Sequence, residues 1–160
     1  MSKESTAFGT ELDAGPWQTD SIGNANAGTA FNQKSTTSTV RTVGVRWDGD
    51  KVRGIRIELY DGTSWKYGGY DDTDYTLTVY VFTGGEALKT LTLRDSGYGY
   101  GSVRQILFTT TVGQFAAGQG GFDNEIDPNV EQRVFVGFFG TVNPDNFINS
   151  LGFWIQRAPS

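Results

Sequence analysis

The sequence contains no cysteine and no histidine. Without cysteine the chain has no disulfide and no thiolate metal ligand, and the redox compartment cannot be inferred. Without histidine it lacks the commonest general base, the commonest metal ligand and the side chain that titrates near neutral pH. Serine–histidine and cysteine–histidine catalysis are therefore excluded.

Long hydrophobic runs and an excess of positive charge are also absent. No apolar run approaches the roughly 20 residues that a membrane-spanning helix needs, and the formal net charge is −5 at pH 7. An acidic chain repels phosphate backbones and anionic lipids, so we expect no nucleic-acid partner and no membrane insertion. Residues 1–6 are not followed by the apolar core of a signal peptide. We expect a cytoplasmic or unconventionally secreted protein, unless a leader is missing from this sequence.

What the chain does have is alternation of apolar and polar residues. Apolar residues take every second position in segments that include 55–60, 77–81, 91–93, 106–108 and 151–155. A period of two predicts strands with one buried face. The 160 residues, 37% of them hydrophobic, suit one core. We expect a single all-β domain over residues 1–160, with disorder in about residues 1–6.

Turn residues separate these segments. Residues 48–50 (DGD) and 61–62 (DG) are hairpin-type signals. Residues 143–146 (NPDN) place proline at the second position of a type I turn. The small, polar segment 24–38 suits either a loop or an edge strand. Short strands at this spacing predict a sandwich, barrel or prism, and a loose echo at roughly 40-residue intervals favours pseudo-threefold symmetry.

Three segments resemble the jacalin-related lectin family. Residues 52–62 (VRGIRIELYDG) are similar to the family's core strand and turn. Residues 88–110 are similar to its strand, glycine loop and following strand, and residues 136–153 to its terminal strands. The three segments keep the family's order, and the resemblance covers about residues 10–156. It implies a β-prism I fold, with three four-stranded antiparallel sheets around a pseudo-threefold axis.

The resemblance also implies a site for one hexose, formed by a glycine loop near the N-terminus and the last long loop. Gly15 and Trp17 stand at the glycine loop and supply its backbone donors, because Pro16 has no N–H. Asn149 stands where the family has an aspartate that accepts two sugar hydroxyls. An amide offers one acceptor and two donors. We therefore expect Asp145 to supply the carboxylate from a shifted position.

The last loop, residues 140–149, has the composition of a sugar site in its own right. Sugars need hydrogen-bonding groups beside an aromatic surface. The loop carries these candidates: Asp145, Asn146, Phe147 and Asn149. The alternative is a polar turn with Phe147 in the core. Tyr98 and Tyr100 flank glycines and are expected to wall the pocket, as their loop does in the family, unless they pack between strands.

Other carboxylates suggest neither a metal site nor catalysis. Loop 68–75 (GGYDDTDY) does not match the EF-hand and is expected to be a solvated acidic loop. Glu125 and Asp127 lie on one short polar loop, which does not suit a glycosidase pair. We expect no enzyme activity, no metal and no cofactor.

The sequence is thus interpreted as a metal-independent lectin of the mannose/glucose type that binds mannose-containing glycans. Galactose-type members of the family have a processed, free N-terminus at the glycine loop, whereas this chain runs through that loop from Met1. One alternative is a sugar-silent β-prism that binds proteins. Another is the receptor-recognition fragment of a membrane-active toxin.

We also expect a homodimer, because one shallow sugar site binds weakly and several sites raise avidity. The period-two pattern predicts that the aliphatic residues of segment 77–81 point inward. Tyr60, Tyr80 and Phe82 then point outward and form an exposed apolar patch. The alternative is that these rings cover the sheets of a monomer.

Overall fold

The computed structural model describes residues 15–97 and 101–159. Within those ranges there are thirteen strands and no helix, and so no helix with the length and apolar character needed to cross a membrane. In chain order the strands are β1 (Trp17–Gln18), β2 (Ile22–Gly23), β3 (Thr29–Lys34), β4 (Val40–Trp47), β5 (Val52–Leu59), β6 (Ser64–Gly68), β7 (Thr76–Val81), β8 (Leu88–Ser96), β9 (Ser102–Thr110), β10 (Gln114–Gly118), β11 (Asn124–Ile126), β12 (Arg133–Val142) and β13 (Ile148–Arg157).

The strands form three antiparallel sheets, with the orders β1-β13-β12-β3, β6-β5-β4-β7 and β10-β9-β8-β11. Strand β2 also pairs with β13, at Ser150–Leu151, while β1 pairs with it at Trp154–Ile155. Strands β1 and β2 therefore share one edge position. The predicted β-prism I fold, with three four-stranded sheets around a pseudo-threefold axis, is confirmed. Segment 24–38 contributes the edge strand β3.

The sheets enclose a hydrophobic core. On β5 the alternation places Ile55, Ile57 and Leu59 inside, each at most 1% exposed, as a period of two predicts. Aromatic rings from different sheets meet there, since the ring centroids of Phe108 on β9 and Phe135 on β12 lie 5.5 Å apart. Burying one such side chain stabilises a fold by about 1.5–3 kcal/mol. Contacts between the sheets therefore hold the prism together.

Strand β7 faces the opposite way from the prediction. The three aliphatic side chains expected inside are exposed: Leu77, Val79 and Val81, by 41%, 47% and 54%. Tyr80 and Phe82 point inward instead, with Phe82 only 8% exposed. The period of two predicts the strand correctly, but the predicted buried face is wrong.

The inward rings of β7 explain the reversal. The centroids of Tyr80 and Phe82 lie 5.2 Å and 5.5 Å from that of Phe108. Aromatic side chains bury more area than aliphatic ones, and such ring pairs add a specific attraction. The predicted outward patch is therefore wrong except at Tyr60, which is 48% exposed.

The connections between strands gather at the two ends of the prism. At one end, which we call the loop end, four segments meet: residues 24–28, 48–51, 69–75 and 143–147. The last two approach closely, because a Cβ on Gly69 would stand 3.2 Å from the backbone oxygen of Asn146. The loop end is where the fold brings the predicted site residues of the last loop beside other loops.

Candidate functional site

The loop between β12 and β13 is a tight turn. The N–H of Asn146 donates to Asn143 O, and the N–H of Asn143 donates to Phe147 O, both at 2.8 Å. Asn143 Oδ1 accepts the N–H of Asp145 at 2.9 Å. Asn146 has a φ of 62°, a left-handed conformation in which asparagine is enriched. The turn leaves Asp145 and Asn146 exposed.

Phe147 and Asn149 are buried, with exposures of 8% and 0%. Lys51 covers the Phe147 ring, with Nζ 4.1 Å from its centroid. Asn149 Oδ1 accepts a hydrogen bond from Asn143 Nδ2 at 3.3 Å. Its own Nδ2 has no partner in the part of the chain that the structure describes. The structure thus supports the alternative interpretation for Phe147, and neither side chain is open to a ligand in this conformation.

Asn149 lies beneath residues 23–28. Its backbone oxygen accepts the N–H of Asn24 at 3.0 Å. A Cβ on Gly28 would stand 2.7 Å from Asn149 Nδ2, and Gly28 has a φ of +78°, so both space and backbone conformation require glycine there. The glycine-bounded segment that contacts Asn149 is therefore 23–28, not the segment at Gly15.

The loop after β8 reaches the same place. Gly101 O accepts the N–H of Asn24 at 3.2 Å, and a Cβ on Gly101 would collide with Asn24. Tyr98 and Tyr100 belong to this loop but lie outside the described residues. Their contact with a ligand stays a prediction.

Gly15 and Trp17 lie at the other end of β13. Trp17 pairs with Ile155, whereas Asn149 is near the start of that strand, roughly 20 Å away at the rise of an extended chain. Trp17 and Arg133 line a depression of 330 Å³ there, with the guanidinium 4.9 Å from the indole centroid. The prediction that Gly15 and Trp17 share a pocket with the last loop is wrong, because β1 occupies the far end of β13.

Asp145 and Asn146 instead line a depression of 450 Å³ that they form with the loop between β6 and β7. We call this depression the acidic pocket. Its lining residues are Gly68, Gly69, Asp71, Asp72, Tyr75, Asp145 and Asn146. Two of the predicted site residues are thus brought together with a loop that was expected to be merely solvated.

Tyr75 supplies the aromatic side of the acidic pocket. The Arg53 guanidinium lies 5.1 Å from the Tyr75 ring centroid, and Asp48 holds that guanidinium in an ion pair of 2.7 Å. Burial raises the pKa of Asp48, but hydrogen bonds from the Lys51 N–H and from Arg53 outweigh burial and bring it below its usual 3.8. An ionised Asp48 therefore keeps Arg53 against Tyr75, which fixes the ring beside the pocket.

Three carboxylates border the acidic pocket, those of Asp71, Asp72 and Asp145. Ionised carboxylates only accept hydrogen bonds, so the pocket favours ligands rich in hydroxyl donors and disfavours anions. Among the described residues, no group of three or more acidic side chains has an arrangement that could hold a metal ion. The pocket therefore offers hydrogen-bond acceptors to uncharged or positively charged ligands.

Residues 19–154 match the family model of the jacalin-like lectin domain. The chain belongs to the jacalin-like lectin domain family. The match confirms the resemblance carried by the three sequence segments. No curated protein sequence is significantly similar to this jacalin-like lectin domain.

Solved structures share the fold of this jacalin-like lectin domain. The structure of a lamprey immune protein is 27% identical with a TM-score of 0.75, over 91% of this chain and 46% of that one. The chain therefore spans about half the length of the lamprey protein. Malaysian banana lectin is 21% identical with a TM-score of 0.73, over 89% of this chain and 99% of that one. A mannose-binding jacalin-related lectin from Ananas comosus is 14% identical with a TM-score of 0.71, over 88% and 97%.

Sequence reasoning missed the contribution of loop 69–75 to the acidic pocket of this jacalin-like lectin domain. The signal was present, because Asp71, Asp72 and Tyr75 combine carboxylates with an aromatic ring, the composition that singled out the last loop. A mismatch with the EF-hand pattern bears only on metal binding and not on a role in a sugar site. No local sequence pattern shows that this loop packs against Asn146, because the strands that flank the two loops belong to different sheets.

Proposed function

We propose that this chain is a carbohydrate-binding lectin domain that binds neutral sugars of the mannose or glucose type in the acidic pocket. One observation carries the proposal: exposed Asp145 and Asn146 share a 450 Å³ depression with Asp71, Asp72 and Tyr75 at the loop end of the prism. This supplies the hydrogen-bonding groups and the aromatic surface that a sugar site needs.

Recognition in the acidic pocket rests on hydrogen bonds and one aromatic contact. The carboxylates of Asp145 and Asp72 accept hydrogen bonds from sugar hydroxyls, and the side-chain amide of Asn146 can donate a hydrogen bond to a ring or hydroxyl oxygen. The Tyr75 ring packs against the apolar C–H face of the sugar. Binding by such contacts is reversible, and we propose no catalytic role for any residue.

We propose that binding needs no metal ion or cofactor. The carboxylates of the acidic pocket are already suited to hydroxyl donors, so a bridging cation has no necessary role. Related lectins support the sugar class. The Ananas comosus lectin is described as mannose-binding, and an artocarpin structure contains mannotriose. We assign the sugar to Asp145 rather than to Asn149, because Asn149 is buried.

A glycan array with and without excess chelator tests this function, followed by NMR titration of ¹⁵N-labelled protein with methyl α-D-mannoside. We expect binding to neutral mannose- or glucose-containing glycans that the chelator does not change. We expect the largest amide shifts at Gly69, Tyr75 and Asn146. Shifts confined to residues 23–28 and Asn149 would move the site to the family position. Loss of binding that calcium restores would overturn the metal-free mechanism.

A sugar-silent prism that binds protein is the second candidate, and the burial of Asn149 under residues 23–28 is the observation that favours it. A recognition part of a longer protein is the third, because the chain covers only 46% of the lamprey protein. If no glycan on the array binds the protein at high concentration, the lectin function is ruled out and these two candidates remain.

We also propose a homodimer, formed through the edge strand β7. Leu77, Val79 and Val81 present an uncharged apolar row on that edge, which is unusual for an edge that faces water. Antiparallel pairing of the β7 strands of two copies about a two-fold axis would place the two rows side by side, so that each covers part of the other, and would give two sugar sites per particle.

The measurement is light scattering at micromolar concentration. We expect twice the chain mass of 17.5 kDa for the native protein, and 17.5 kDa for Val79→Lys. Val112→Lys is the matched control, because Val112 is a 68% exposed valine outside β7. A native mass of 17.5 kDa would rule out the dimer.

A further inference from the structure

The acidic pocket continues into a second depression. That depression, of 290 Å³, runs along the edges of β3 and β6, and we call it the aromatic groove. Its lining includes Thr29, Phe31, Lys66, Tyr67 and Val142. Gly68 and Asp71 line both depressions. The two therefore adjoin at Asp71.

The aromatic groove differs from the acidic pocket in chemistry. It contains one acidic residue, Asp71, and its floor is aromatic. Tyr67 stacks on buried Phe31 with ring centroids 4.3 Å apart. Its hydroxyl accepts a hydrogen bond from Gln33 Nε2 at 2.7 Å, which leaves the Tyr67 proton free to donate. Such a groove suits the apolar face of a sugar with a hydroxyl at its rim.

An exposed ion pair marks the junction. Lys66 Nζ lies 2.7 Å from Asp71 Oδ2, and the two side chains are 54% and 73% exposed. Exposed pairs of this kind contribute little to stability, so ligand hydroxyls can compete for both groups. Lys66 then donates and Asp71 accepts at the point where one depression passes into the other.

We propose that the acidic pocket and the aromatic groove form one elongated site, which takes a neutral oligosaccharide with one sugar residue in each depression. This inference rests on the proposed function, because the first sugar is assigned to the acidic pocket. The volumes of 450 Å³ and 290 Å³ agree with two small subsites, since ligand pockets span roughly 300–1,000 Å³. A single sugar fills only one of them and binds more weakly.

Isothermal titration of the full chain with methyl α-D-mannoside and with mannotriose tests the inference. We expect mannotriose to bind about tenfold more tightly, the factor that one additional good contact supplies. Lys66→Ala should lower the ratio of the affinity for mannotriose to the affinity for methyl α-D-mannoside by several-fold. Lys89→Ala is the matched control, because Lys89 is an exposed lysine on β8, in another sheet. It should leave the ratio unchanged.

NMR titration gives an independent readout. Amide shifts at Lys66, Tyr67 and Val142 should appear with mannotriose and not with methyl α-D-mannoside. Equal affinities for the two sugars, or an unchanged ratio in Lys66→Ala, would overturn the elongated site while leaving the proposed function intact. Failure of both sugars to bind would overturn the mannose-type function and the elongated site with it.

Discussion

The two ends of the prism each carry a carboxylate on a connection between strands, and the fold treats them in opposite ways. Asp145 at the loop end is exposed. Glu86 at the other end is only 5% exposed, and its carboxylate accepts hydrogen bonds from Tyr80, Thr110 and Thr83. A buried carboxylate with its partners in place contributes to stability, whereas an exposed one is available to a ligand.

The pKa values reflect the same difference. Burial raises the pKa of Glu86, but the hydrogen bonds from Thr110, Tyr80 and Thr83 outweigh burial and bring it below its ordinary 4.5. Burial, together with the contact to Glu86, raises the pKa of Tyr80 above its ordinary 10.0. Tyr80 lies on β7 and Thr110 on β9, so an ionised Glu86 joins two sheets. We expect the largest effects of mutation on stability at this end.

Glu86→Ala should lower the free energy of unfolding by about 3 kcal/mol, because several donors lose a buried acceptor and each unpaired group costs about 1–3 kcal/mol. Urea denaturation measures this. Glu131→Ala is the control, since Glu131 is exposed, and it should change stability by less than about 0.5 kcal/mol. Sugar affinity should stay unchanged in both variants. An equal, small effect of the two substitutions would contradict the stabilising role of Glu86.

Stability should also fall in acid. The pKa of Glu86 is lower in the folded state than its ordinary 4.5, so below that value the unfolded chain binds more protons and stability falls as the pH decreases through the folded pKa. Urea denaturation between pH 7 and pH 3 measures the slope. Glu86→Gln should have a shallower slope, with a remainder from Asp48 and Asp61, whose pKa values are also lowered. If stability falls with the same slope against pH in the native protein and in Glu86→Gln, groups other than Glu86 cause the acid sensitivity.

How far the sequence predicts the fold depends on how local the decisive contacts are. On β5 one face is wholly aliphatic, so alternation alone gives the buried side of Ile55 and Ile57. On β7 the aliphatic face is the exposed one, because distant partners decide which face of this strand is buried. Tyr80 points inward because its hydroxyl forms hydrogen bonds with Glu86 and Thr110 and its ring packs against Phe108. No sequence pattern within β7 contains that information.

The candidate site divides in the same way. The exposure of Asp145 and Asn146 follows from a local turn, so the sequence alone suffices to name both as candidates. The position of Trp17 at the far end of β13 and the approach of loop 69–75 to Asn146 depend on pairing between distant strands. A resemblance to a family gives the order of segments but not which end of the prism each glycine reaches.

The substitution Asp145→Asn should change the structure least and sugar binding most. Asp145→Asn keeps the shape of the side chain and removes its charge, so one charged acceptor for a sugar hydroxyl becomes a neutral one. We expect sugar affinity to fall about tenfold, or about 1.4 kcal/mol. Stability should change by less than about 0.5 kcal/mol, as for other exposed loop positions.

For Asp145→Asn, calorimetric titration with the monosaccharide measures sugar affinity, and urea denaturation measures the free energy of unfolding. Asp20→Asn is the matched control, because Asp20 is an exposed aspartate that lines the depression around Trp17 at the opposite end. If Asp20→Asn weakens binding and Asp145→Asn does not, the sugar site belongs beside Trp17 and the assignment of the two ends is reversed. If only Asp145→Asn weakens binding, the exposed carboxylate of the loop end is the one used for recognition.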